Sequence, residues 1–222
     1  AAAARLIARD LESGREEVVR LHGILPQHAI VRPGDTAVHV LGAPADAGNT
    51  NHVYRITAGG AAAVTTAAGP KGDPVFLSGG AILYSIDRQN FALQTPAGEV
   101  RTYRGTQPSH SVDGSAVAFV REEGGENIIS VVDVASLEQR DAVRSDRPVA
   151  APALSPDGRR VVYQMMPRED WELYVTSDDG SVRLTREIQH DLMPQFLDSD
   201  RVFALMGEGR HRRSYLYDVR DG

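Results

Sequence analysis

The sequence predicts an all-β protein built as a β-propeller, and three observations carry that prediction. Residues 148–186 read as one four-stranded antiparallel unit with a turn at each corner. Related stretches recur along the chain at a spacing of about 40 residues, the period of a four-stranded propeller blade. The 21 Gly and 12 Pro are spread throughout, as many short strands and turns require.

In residues 148–186 the turn chemistry is explicit. Ser155-Pro156-Asp157-Gly158 is a β-turn in which Pro156 presets φ, Asp157 bonds locally and Gly158 closes the corner. A strand precedes it and another, Arg160 to Met166, follows. A third run, Trp171 to Thr176, sets Trp171, Leu173 and Val175 against Glu172, Tyr174 and Thr176. Asp178-Asp179-Gly180 turns the chain again into a short, half-polar run, Val182 to Thr185, suited to an outer edge. A meander with apolar residues on both faces cannot bury them alone, so similar units must stack on either side of it.

Taken in order, the chain opens inside a partial unit at 5–21, where Arg5 to Gly14 match a third strand and its turn and Arg15 to Leu21 a fourth strand. Further units start near Ala29, Pro74, Pro108, Pro152 and Pro194, giving spacings of 45, 34, 44 and 42 residues. In the unit at Pro108, Ser111-Val112-Asp113-Gly114 replaces the Ser-Pro-Asp-Gly turn; in the unit at Pro74, Leu77-Ser78-Gly79-Gly80 holds the same place and reads as a turn despite its likeness to half of a nucleophile elbow. The expected architecture is therefore a single domain over 1–222 with four-stranded antiparallel blades, about five blade-equivalents in all. Asp10 and Gly14 align with Asp218 and Gly222, so closing the chain on itself would supply a third strand twice. A larger propeller of about six to eight blades is expected, with an open solenoid-like array as the alternative.

Composition narrows the function classes. A chain of 222 residues that is 41% hydrophobic and 24% charged can build a substantial core. Its net charge of −6 and pI near 5.6 argue against nucleic acid and anionic membrane as partners. No apolar run approaches the roughly 20 residues that span a bilayer, so membrane insertion is not expected. Ala1 to Ala4 lack the marks of a signal peptide and are read as a cloning remnant or as unassigned sequence. Without cysteine there is no thiolate metal site, disulfide or cysteine nucleophile.

The stretch PALSPDGRRVVYQ followed by WELYVTSDDGSVRLT is similar to the repeat of the TolB-type, WD40-like β-propeller family. The likeness is clearest over residues 148–186, and the units AIVRPGD, SHSVDG and PQFLDSD depart from it. The resemblance implies blades around a central channel, in a family that includes bacterial periplasmic envelope proteins and the propeller halves of prolyl-oligopeptidase-like peptidases and other hydrolases. It implies no one activity.

Chemistry-bearing motifs are scarce. GxSxG, P-loop, HExxH and EF-hand patterns are all missing, so no catalytic residue, cofactor or metal site is assigned. Glu16-Glu17, Glu122-Glu123 with Glu126, and Asp178-Asp179 read as solvated charge. His28 and His110, near strand starts, read as buried or hydrogen-bonded structural histidines, with a place at the channel mouth as the alternative. One cluster stands out: His190 and Asp191 lead into the last unit, and Arg210, His211, Arg212 and Arg213 follow Glu208-Gly209 in its second hairpin. In a propeller these two loops lie on one face, where the arginines suit a carboxylate or phosphate. The plain alternative is a turn cap and a soluble hairpin tip. Two functions fit: a non-catalytic scaffold that holds a protein or peptide, and a gating propeller covalently linked to a hydrolase domain outside this chain.

Overall fold

A computed structural model describes residues 5–220 except 47, 49, 178, 179, 187–189, 208 and 209. Ala1 to Ala4, Asp178, Asp179, Gln189, Glu208, Gly209 and Gly222, which enter the sequence reading, lie outside the described residues. The described residues form strands joined by turns, with one 3₁₀ turn at Ser78–Gly80 and no α-helix.

The strands form six antiparallel sheets. The first pairs β1 (Leu6–Arg9) with β2 (Glu16–Val19). The second is β3 (Ile24–Ile30), β4 (Val38–Pro44), β5 (His52–Thr57) and β6 (Gly60–Ala63). The third is β7 (Gly72–Phe76), β8 (Ile82–Ser85), β9 (Asn90–Gln94) and β10 (Val100–Arg104). The fourth is β11 (Thr106–His110), β12 (Ala116–Glu123), β13 (Glu126–Asp133) and β14 (Gln139–Ser145). The fifth is β15 (Val149–Leu154), β16 (Val161–Met165), β17 (Glu172–Ser177) and β18 (Gly180–Arg183). The sixth has three described strands, β19 (Asp191–Phe196), β20 (Arg201–Met206) and β21 (Arg213–Asp218). Each four-stranded sheet is a meander in chain order, as a propeller blade requires. The second sheet starts at Ile24 rather than at Ala29, because Pro26 sits at a register shift between Pro26 and His28 instead of ending the strand.

The prolines that mark the repeat have a structural cause. Asp73, Gln107, Ala151 and Met193, which precede Pro74, Pro108, Pro152 and Pro194, all have positive φ, between 45° and 55°. At each X-Pro pair the ladder slips, so that two residues of the first strand oppose one of the second. Proline has no N–H to lose there, which is why a bulge tolerates it inside a strand. In the fourth sheet the bulged Gln107 also reaches out: its Oε1 accepts a hydrogen bond from the Ala151 N–H of the fifth sheet at 2.5 Å.

Packing divides the chain into two compact units, one of Ala1–Phe76, Gly80–Arg88 and Ala92–Thr102, the other of Leu77–Gly79, Gln89–Phe91 and Tyr103–Gly222. In the first, Ile24, Val40, Tyr54 and Ile56 pack with Leu6, Val19 and Leu21, while Leu41 and Val53 pack with Phe76, Ile82 and Tyr84. Alternate residues of β4 thus serve the sheets on its two sides. The second unit repeats the arrangement around β16. Val161 and Tyr163 join Val120, Ile129 and Val131 of the fourth sheet, and Val162 joins Phe196 and Val202 of the sixth. Val161, Val162, Tyr163, Leu173 and Val175, apolar and aromatic residues of β16 and β17, are at most 3% exposed. Burying each such side chain contributes about 1.5–3 kcal/mol.

Turns between first and second strands also connect neighbouring sheets in this unit. The Ser78 N–H donates to the Gly114 carbonyl at 3.0 Å, and the Asp113 N–H to the Pro156 carbonyl at 3.3 Å. Gly158, with φ +70°, is packed so tightly that a Cβ there would lie 2.8 Å from the Ala116 Cβ.

Candidate functional site

The sixth sheet brings the two halves of the sequence-predicted cluster to one end. Asp191 of β19 pairs with Met206 of β20, which pairs with Arg213 of β21. One residue further out, the Gly207 N–H donates to the His190 carbonyl at 3.1 Å, and a side chain on Gly207 would run into the His211 carbonyl. His190 and the 210–213 segment therefore flank the same turn. Glycine at 207, with φ +114°, is what allows that close approach.

The residues differ in availability. Arg210, His211, Arg212 and Arg213 are exposed. His190 is half-buried; its Nδ1 accepts the Trp171 N–H at 3.2 Å, which leaves Nε2 as the protonated nitrogen of the neutral ring, and Asp170 lies 3.8 Å from the same Nδ1. Asp191 is completely buried. Its carboxylate accepts the Tyr217 hydroxyl at 3.2 Å, its N–H donates to the Trp171 carbonyl and its carbonyl accepts the Gln164 side chain. It is a strand-anchoring residue beneath the cationic tip.

Of the other singled-out residues, His28 and His110 are both exposed, and His110 Nδ1 lies 2.9 Å from the Ser111 carbonyl oxygen. Glu123 and Glu126 are tied across β12–β14 to Arg121 and Arg144. The half-elbow at Ser78 is the 3₁₀ turn.

Among the described residues, three buried ionisable side chains are not candidates on sequence alone. His39 in β4 is 1% exposed, 3.8 Å from Asp35 Oδ2, with its ring edge-on to Phe76 at 4.8 Å. Burial holds its pKa below the usual imidazole value, against the pull of the Asp35 carboxylate. Lys71 is 3% exposed; its ammonium donates to the carbonyls of Asn51, Ala67 and Gly69 at 2.6–3.1 Å, and burial lowers its pKa. Glu172 in β17 is 3% exposed and accepts from Arg183 and from the Thr185 hydroxyl. Alternation places Glu172 opposite Leu173 but says nothing of what covers that face. Among the described residues no group of three or more His, Cys, Asp and Glu converges to hold a metal, and no helix is long and apolar enough to cross a membrane.

No family model matches this chain. The Tol-Pal system protein TolB of Thioalkalivibrio sulfidiphilus (strain HL-EbGR7) is 37% identical over 70 residues, which are 31% of this chain and 16% of that protein. The solved structure of TolB from Acinetobacter baumannii superposes with a TM-score of 0.53 at 18% identity, over 84% of this chain and 50% of that one. The fold is that of a TolB-like β-propeller. Prolyl endopeptidases share the fold with this TolB-like chain at a TM-score of 0.62 and 12% identity, over 89% of this chain and 35% of theirs.

Proposed function

We propose that this TolB-like propeller is a non-catalytic scaffold that holds an acidic segment of a protein or peptide partner. The observation that carries the reading is the gathering of Arg210, Arg212 and Arg213, all exposed, beside His190 at one end of the sixth sheet of an acidic chain. A local positive field attracts carboxylates, and a scaffold needs no catalytic constellation. A titration of an acidic peptide against wild type and the Arg210→Ala/Arg213→Ala variant tests it. Binding should fall in the variant and in high salt, as the screening length shortens from about 10 Å at 0.1 M to about 3 Å at 1 M, with an unchanged melting temperature. Equal binding by the variant, or an earlier melt, would make the cluster structural.

A second reading is supported by the likeness to prolyl endopeptidases, of which the chain spans 35%: a gating propeller linked to a hydrolase domain. Peptide hydrolysis by the full-length protein, lost on excision of the other domain, supports it; a full-length protein without such a domain removes it.

A further inference from the structure

Beside the cationic tip, the fifth and sixth sheets enclose a groove of about 400 Å³ lined by Arg183, Thr185, Arg186, Met206, Tyr215 and Tyr217. Its size falls within the roughly 300–1,000 Å³ of ligand-binding clefts. One wall is a fixed polar network. Arg183 donates to the buried Glu172 and, through Nε, to the Thr185 carbonyl at 2.6 Å. The Thr185 hydroxyl donates to Glu172 at 2.7 Å and accepts the Leu173 N–H at 2.9 Å. The other wall is aromatic: Tyr215 and Tyr217 stack with centroids 6.4 Å apart, and the Tyr217 hydroxyl is anchored on Asp191. Both walls are cross-linked by hydrogen bonds within the chain, and such preorganisation lowers the entropic cost of binding.

The groove carries charges of both signs: Arg183 and Arg186 line it, and the carboxylates of Glu172 and Asp191 are buried beneath its two walls. Glu172 offsets Arg183, so Arg183 adds shape and little net field. Arg186 is exposed at the rim. Strand alternation puts Arg213 on the Tyr215 and Tyr217 side of β21, in steps of about 7 Å, and its pairing partner Met206 lines the groove. Arg213, Tyr215 and Tyr217 thus form one line, with Arg186 across the groove. Tyrosine faces take apolar or aromatic surface, and arginine takes carboxylate.

We propose that this groove binds an extended acidic peptide carrying an aromatic residue between its carboxylates, the ring against Tyr215 and Tyr217 and the carboxylates on Arg186 and Arg213. The proposal rests on the acidic-partner reading above and adds the side-chain requirement and the residues that enforce it.

Fluorescence anisotropy with two labelled probes tests it: an all-glutamate peptide and one of equal length and charge with a central Phe. Wild type should bind the Phe peptide about fivefold more tightly. Tyr215→Ala should erase that preference, Tyr215→Phe should keep it, and Arg186→Ala should weaken both probes about fivefold. If Arg210→Ala/Arg213→Ala weakens binding while Arg186→Ala and Tyr215→Ala do not, the groove is refuted and the cationic tip stands. If wild type binds neither probe, or no variant weakens binding, both readings fall. Should Tyr215→Ala melt early, the exposed Arg186→Ala decides.

Discussion

Gly158→Ala is the sharpest perturbation of the stacked-sheet arrangement. Two costs combine at this position. A φ of +70° is left-handed, where an L side chain costs roughly 1–2 kcal/mol. The new Cβ would lie 2.8 Å from the Ala116 Cβ and 3.3 Å from the Ser115 hydroxyl, well inside the optimum carbon contact of about 3.5–4.0 Å. The fourth sheet would have to move, and overpacking of this kind costs about 1–3 kcal/mol. Stiffening of the unfolded chain returns about 0.4–1 kcal/mol. The expected net loss is about 2–4 kcal/mol, read by urea unfolding as a lower midpoint with an unchanged slope. Gly124→Ala is the matched control, because Gly124 has φ +62° and nothing within 4 Å of its ideal Cβ. It should cost no more than about 1.5 kcal/mol, backbone strain alone. Equal losses in the two variants would mean that the Ser155–Gly158 turn does not press on the fourth sheet, and the stacking argument would fail.

Leu173→Ala, at a side chain with no exposed surface, should cost about 2–5 kcal/mol in the same assay; a loss under about 1 kcal/mol would place β17 at the surface. His39 provides a pH test. Because burial lowers its folded-state pKa below 6.5, the unfolded chain binds the proton more readily. The resulting stability is complete above pH 6.5 and is lost as pH falls from there towards the folded-state pKa. His39→Leu should flatten that part of a urea-midpoint against pH profile, and an unchanged profile would refute the assignment.

The fold was legible because its determinants are local. A Ser155-Pro156-Asp157-Gly158 corner, two-residue alternation in β17, and a recurring proline are each specified within a few residues, and repetition multiplies the signal. Even the period-marking prolines reflect a local rule, the missing N–H that a bulge tolerates. The proposed cationic tip is a local feature of the same kind, since Arg210, Arg212 and Arg213 lie within four positions of one another.

What depends on distant neighbours was not legible. Asp191 reads as a member of the His190 cluster or as a turn cap, yet it is buried and its carboxylate accepts the hydroxyl of Tyr217, 26 residues away. His28 and His110 stand out in the sequence and are exposed, while the buried histidine is His39, enclosed near Phe76 and Asp35. Glu172 alternates like a solvent-facing residue, and only the return of the chain at Arg183 and Thr185 makes its burial tolerable. The groove is invisible to any motif because its walls come from two sheets. Alternation fixes which side of a strand a residue takes; only the packed neighbour decides whether that side is water, core or binding site.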